Sequence, residues 1–216
     1  MAFAQNPIAG PQNLADGGQA TAFRGDRTGA AVFWEGGGKW QEYTRLGQMY
    51  TYGTPAAGVA IPLYSSTTQQ CVLFNPVNNT KAFVIKSITF GYVSGTQVAG
   101  HYCLAVQTLA TNAVSGTASA IVTNHKLTGA GVGPAGSLTL YTAATVVAFT
   151  YFRALALSQV VQAATATNAP WVFTEELDGS VVLLPGAALA VAANQAAFST
   201  NTVAITGAEI PAALVS

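Results

Sequence analysis

The sequence predicts an all-β domain, a jelly-roll β-sandwich with an extended N-terminal arm and room for one short helix. Three observations lead there. From Ala31 onward, short apolar segments are interrupted every few residues by Gly, Pro, Asn or Thr. Several of those segments alternate apolar and small polar residues with the two-residue period of a half-buried strand. Residues 1–30, by contrast, are rich in Gly, Ala, Gln, Asn and Pro and show neither a helical nor a strand period. Many short strands punctuated by turn residues are the pattern of a sandwich rather than of βαβ units.

Taken in order, residues 1–30 form the arm and residues 31–216 the β domain. Within Ala82–Val93, Val84, Ile88, Phe90 and Tyr92 share one parity, with Lys86 the exception, while Ser87, Thr89 and Gly91 take the other. That is a strand. His101–Leu109 follows with Tyr102, Leu104 and Val106 on one face. The turn-rich SGTQVAG between them predicts a hairpin. Ala144–Ala166 holds no Gly or Pro, and Phe149, Phe152, Ala156 and Val160 fall near helical spacing. A strand followed by a short helical turn is expected there.

The C-terminal third reads as a strand at Trp171–Leu177, an Asp178-Gly179 tight turn, and a strand at Val181–Leu184. Pro185-Gly186 then turns the chain into Ala187–Ala193, where Leu189 and Val191 share a face. A last strand runs over Thr202–Glu209, with Val203 and Ile205 on one side. Pro211 closes it, because proline cannot donate to a ladder.

Charge narrows the functional classes. Only 16 of 216 residues are charged, eight of each sign, or 7% against about 25% in an average globular chain. With no basic excess, binding nucleic acid by a charged face is not expected. Half the residues are hydrophobic, which argues against disorder through most of the chain. Uncharged stretches such as Leu127–Phe152 and Gly179–Ala208 are broken by Gly, Pro, Thr or Asn before a membrane-spanning length accumulates. MAFAQNPIAGPQNLADGG lacks a basic segment followed by an apolar one, so no signal peptide is expected. Cys71 and Cys103 make no disulfide framework and read as free, buried thiols in a reducing cytoplasm. The charges are also unevenly placed. Asp16, Arg24, Asp26, Arg27, Glu35, Lys39, Glu42 and Arg45 carry half of them, leaving the β domain nearly neutral.

The motifs of catalysis are weak. Gly131-Val132-Gly133-Pro134-Ala135-Gly136 spells G-x-G-x-x-G, but Pro134 interrupts it and the strand-like SLTLY follows where a helix should start. A glycine-rich loop is the better reading. Gly36-Gly37-Gly38-Lys39 lacks the first P-loop glycine, and Trp40 stands where Ser or Thr would hold magnesium. His101 and His125 are too isolated to complete a metal set. No G-x-S-x-G elbow is present. Glu175, Glu176 and Asp178 form an acidic cluster, but neighbours on a strand point to opposite faces. Glu175 and Glu176 therefore cannot flank one sugar ring as a glycosidase pair does. No catalytic residue, metal or cofactor is expected.

Val32–Tyr52 is the most informative stretch, because it interleaves aromatic and charged residues as protein interfaces do. Together with the arm it supplies the candidate interface residues Arg24, Arg27, Trp34, Lys39, Trp40, Glu42, Tyr43 and Arg45.

A larger pattern spans Gly36 to Pro211. GGGKWQEYTRLGQMYTYGTPAAGVAIP, LFNP, KSITFGYVSGT, FRALALSQVV, and LDGSVVLLPGAALAVAAN ending in AEIP resemble, in that order and spacing, a family of tailed-bacteriophage virion structural proteins. Relatives of that kind end in Trp-Glu-Glu-hydrophobic-Pro where this chain has Gly207-Ala208-Glu209-Ile210-Pro211, so an aromatic and one acid are missing. The resemblance implies a jelly-roll capsid cement or decoration protein without enzymatic activity. It would self-associate, often as a trimer, and bind the major capsid protein on the virion surface after synthesis in the host bacterial cytoplasm. A tail, neck or spike component is the nearest alternative. A carbohydrate-binding module, with Trp34, Trp40 or Trp171 stacking on sugars, is the other. Jelly rolls host all of these.

Overall fold

A computed structural model describes residues 40–95, 99–108, 114–127, 138–147, 149–159, 172–196 and 199–214. Residues 1–30, the expected arm, lie outside them. From Glu42 on, the chain builds two antiparallel sheets packed face to face, so the expected all-β sandwich is what forms. A short helix, α1 (Gln41–Arg45), precedes them. No helix among the described residues is long and apolar enough to cross a membrane.

The six-stranded sheet is ordered β11 (Val172–Leu183), β5 (Lys81–Ser94), β13 (Thr200–Pro211), β1 (Met49–Gly53) and β8 (Ile121–Asn124), with β2 (Val59–Ala60) beside β13. The seven-stranded sheet is ordered β10 (Thr150–Gln159), β6 (Gly100–Thr108), β12 (Ala187–Ala193), β4 (Val72–Phe74), β9 (Thr139–Thr145) and β3 (Thr68–Gln69), with β7 (Ser115–Ala118) beside β9. Four pairings nest inside one another: β1 with β13, β4 with β12, β5 with β11, and β6 with β10. A single long hairpin wrapped around a core gives this nesting.

The period-2 pattern explains the core, except that β5 changes parity at Lys86, so Phe83 and Ile85, not Val84, share the inward face with Ile88 and Phe90. Tyr52, Phe83, Ile85, Ile88, Phe90, Val203 and Ile205 point inward from the six-stranded sheet and meet Leu73, Tyr102, Leu104, Leu189 and Val191 from the other. Tyr52 and Phe83 pack edge to face with ring centres 5.4 Å apart, the geometry aromatic quadrupoles favour. The Phe83 ring fits because residue 207 is glycine. A Cβ there would come within 2.8 Å of that ring and 2.4 Å of the Val84 carbonyl.

β12 is buried on both faces, which is why AALAVAA contains no polar residue. Leu189 and Val191 enter the central core. Ala188 and Ala190 instead join Val72, Ala105 and Ala144 in a second cluster, closed by Val114, Val146, Phe149 and Tyr64. The chain thus caps the outer side of its seven-stranded sheet with its own connections.

Two expected connections form differently. β5 and β6 are not a hairpin, because they lie in different sheets. Their apolar faces oppose each other across the core. Asp178-Gly179 is not a reversal either. Both residues adopt the left-handed conformation a tight turn needs (φ 44° and 84°). Yet Glu176 pairs with Ser87 and Val181 with Ile85, so Leu177–Ser180 bulge out of one continuous β11. The flanks on both sides prefer the same long partner, β5.

Other expectations hold. Pro185-Gly186 is a turn, closed by the Ala187 amide on the Leu184 carbonyl at 3.1 Å with Gly186 at φ 85°. The positive φ at its third position needs glycine. β13 contains the expected Thr202–Glu209 strand and gives way to a 3-10 turn at Ala212–Leu214. Within Ala144–Ala166 the described part includes the strand β10. The helical turn expected after it falls outside the described residues, and the short helix observed is α1 instead. Cys71 and Cys103 are free and buried, and burial pushes their thiols up to about 12 and about 11.

The corner between the sheets is tied by buried Asn75. Its Nδ2 donates to the carbonyls of Lys81 (2.9 Å) and Leu183 (3.0 Å) in the six-stranded sheet. Its amide donates to the Ala187 carbonyl (3.0 Å) in the other sheet, and its Oδ1 accepts from Asn79 (2.6 Å).

Candidate protein interface

Of the eight residues singled out from the sequence, Arg24, Arg27, Trp34 and Lys39 lie outside the described residues. The other four cluster in one turn of chain. Trp40 stands immediately before α1, and Glu42, Tyr43 and Arg45 lie within it. The helix buries no residue, and Leu46 just after it is 50% exposed.

Its end is built with care. The Gly47 amide bonds the Thr44 carbonyl (3.0 Å) and the Gln48 amide the Tyr43 carbonyl (2.8 Å), with Gly47 at φ 74°. This paired closure satisfies the Tyr43 and Thr44 carbonyls and calls for glycine. Buried Asn124 then donates to the Gly47 carbonyl at 2.8 Å, fastening the helix end to β8. On the exposed side, Arg45 grips Glu42 through Nε–Oε2 at 2.8 Å. That bond holds the Glu42 carboxyl below its ordinary range and the Arg45 guanidinium above its own. An aromatic ring beside a paired acid and base is thereby presented on a short, fixed element.

The acidic cluster splits as strand alternation requires. Glu175 turns inward and meets Arg153 Nη2 of β10 at 3.3 Å, with its side chain only 13% exposed. Glu176 is exposed, and Asp178 sits in the bulge. The cluster lies along β11, an edge strand of the six-stranded sheet. Charge and a bulge on an edge strand discourage pairing with another chain's strand. β10, the edge of the other sheet, carries two register shifts, and the remaining edges are short: β8 and β7 span four residues each, β3 and β2 two each. Association by strand addition is therefore blunted on every edge described.

The outer face of the six-stranded sheet is the surface the sequence reading missed. Cross-strand registers align Thr174, Thr89, Ala204, Gly53 and Ile121 in one row. A second row holds Glu176, Ser87, Thr206, Thr51 and Thr123. A third runs Val172, Gly91, Thr202. Thr89 and Thr174 hydroxyls touch at 3.0 Å, and Thr51 bonds both Thr206 and His125 Nε2 at 2.7 Å. Burial, and secondly the Lys86 charge, lower the His125 pKa. Charge reaches this face at two places, Glu176 on its β11 border and Lys86 of β5, whose charge is felt at His125. The signal was half visible: Ser87, Thr89 and Gly91 occupy the polar parity of β5, but the β13 residues opposite them lie 111 or more residues away.

His101 Nε2 lies 3.5 Å from the Tyr151 hydroxyl, and the two rings meet edge to face. Among the described residues, no group of three or more His, Cys, Asp and Glu is placed to hold a metal ion.

No protein-family model matches the chain, and no curated protein or solved structure matches it. The phage-virion reading therefore rests on the sequence motifs and on the surfaces described above.

Proposed function

We propose that this chain is a non-enzymatic structural protein of a tailed-phage virion, a capsid cement or decoration protein that self-associates on the shell. Three copies is the expected unit, and the major capsid protein is the partner. The observation that carries the reading is the open, almost uncharged outer face of the six-stranded sheet, bordered by guarded strand edges. A freely diffusing protein gains solubility from scattered charge. A protein covered by copies of itself and its partner can leave such a face neutral.

The nested strand pairing supports the jelly-roll reading, since two Greek keys folded over one core generate it. That fold recurs in viral capsid domains but licenses no function by itself. In this proposal the polar N-terminal residues, including Arg24 and Arg27, reach onto the shell, and Trp40, Glu42, Tyr43 and Arg45 mark where that reach begins.

The test is sedimentation of the chain with purified phage heads. The full chain should bind in numbers matching the shell's repeating units. Removing residues 1–30 should abolish binding while circular dichroism stays unchanged. Full binding by the truncated chain would remove the arm from the account, and no binding by either would remove the cement reading.

A further inference from the structure

We propose that the threonine-rich outer face of the six-stranded sheet is the surface through which one copy of this chain meets another. The inference rests on the reading of the chain as an assembling structural protein and names the face that does the assembling.

The two sheets differ in how their outer sides are finished. In the seven-stranded sheet, Val72, Ala105 and Ala190 are wholly buried under Val146, Phe149, Val114 and Tyr64. In the six-stranded sheet the equivalent side carries Thr51, Thr89, Thr202, Ala204 and Thr206, all half-buried, with Thr123 and Thr174 exposed and Ser87 and Gly53 buried among them. Val172 is 76% and Ile121 42% exposed at its margins. One sheet is closed by its own chain. The other presents small side chains to whatever lies above it.

The occupant is argued from charge, relief and area. The chain carries eight basic and eight acidic residues, so two copies approach without net repulsion. A highly charged partner would find no complementary field in the rows from Thr174 to Ile121 and from Val172 to Thr202. Small side chains leave a low-relief surface that another flat surface can approach closely, while threonine hydroxyls can exchange one another for bonds to a neighbour. At ~4.8 Å between strands and ~6.7 Å between rows, the three rows project onto about 400 Å². A standard interface takes ~800 Å² from each partner, so this is a weak contact. Weak contacts suffice when many copies sit side by side on a shell, because each added site is effectively intramolecular.

The experiment is sedimentation equilibrium of the full chain up to about 1 mM, a concentration at which a weak contact of this size is populated. Reversible self-association is expected. Ala204→Arg places a charge at the centre of the face, and Thr123→Lys places one at an exposed position should the arginine variant fold poorly. Either should weaken association at least ten-fold, with thermal unfolding as the folding control. Thr117→Lys, on β7 of the other sheet, should leave it unchanged. Association insensitive to the first two substitutions would overturn the assignment. So would a full chain that stays monomeric. In that event Thr89→Cys distinguishes the occupants by maleimide labelling, since both native thiols are buried. An unreactive thiol means another segment of the same chain covers the face, and a reactive one means solvent does. Shell binding is measured separately, so face-dependent association without it would leave this inference standing and remove the cement function.

Discussion

Tyr52 and Glu209, 157 residues apart, meet inside the sandwich, where the Tyr52 hydroxyl donates to Glu209 Oε1 at 3.1 Å. Both side chains are buried, Glu209 at 3% exposure. The register of β1 and β13 places them there, since Tyr52 lies opposite Ile205 and Glu209 lies two inward positions further along β13. Glu209 is the acid of the Gly207–Pro211 ending, and it lies in the core.

Tyr52→Phe removes one donor to a buried carboxylate while keeping the ring on Phe83. A hydrogen bond to a charged group is worth about 1.5–3 kcal/mol, so the urea midpoint should fall by that much divided by the m-value. Tyr52→Ala, which also opens a cavity, should cost about 3–5 kcal/mol. An unchanged midpoint in Tyr52→Phe would mean the hydroxyl contributes nothing, and equal losses in the two variants would mean the ring contributes nothing.

Alkaline pH should destabilise the fold. Burial raises the Cys71 thiol to about 12 and Cys103 to about 11, and burial beside Glu209 raises Tyr50 and Tyr52. Groups with raised folded values keep their protons in the native state while the unfolded chain releases them. Stability is therefore full below the unfolded thiol value of about 8.5 and declines as pH rises past it, with the tyrosines adding to the loss above about 10. Denaturation at pH 8 and 10.5 should show a lower midpoint at the higher pH. At pH 8 neither thiol should react with a disulfide reagent until urea unfolds the chain.

Asn75→Ala should be among the most damaging polar substitutions. It leaves the Lys81 and Leu183 carbonyls without their side-chain donor and the Asn79 amide without its acceptor. At about 1 kcal/mol for each bond, a loss of roughly 2–4 kcal/mol is expected. Unfolding by circular dichroism measures it, and a loss under 1 kcal/mol would show that the corner holds without this side chain.

The Arg153–Glu175 pair joins the edge strands of the two sheets. With Arg153 still 38% exposed, solvent screens it, and a double-mutant cycle should return a coupling of about 0.5–1 kcal/mol that shrinks in high salt.

Alternation along one strand revealed which side of it is apolar, and that sufficed for the sandwich, for β12, and for Val203 and Ile205. It carried no information on whether two apolar faces lie side by side or opposed. That is why the alternation suggests a hairpin of β5 and β6, whereas the two strands lie in opposite sheets. Asp178-Gly179 showed its left-handed preference in the residue types alone, but whether that bends the chain back or bulges one strand depends on β5, some ninety residues earlier. The threonine face was illegible for the same reason. Thr51, Thr89, Thr174 and Thr206 become neighbours only through registers spanning most of the chain. Local features read well, as with Pro185-Gly186, where the turn depends on its own two residues.

In the proposed function, many copies of this chain cover a phage shell. Quantitative mass spectrometry of purified virions tests it most directly, by the ratio of this chain to the major capsid protein. The expected ratio is that of the shell's repeating units. A ratio equivalent to a single ring of copies would place the chain in the tail or neck, and its absence from the particle would contradict the account.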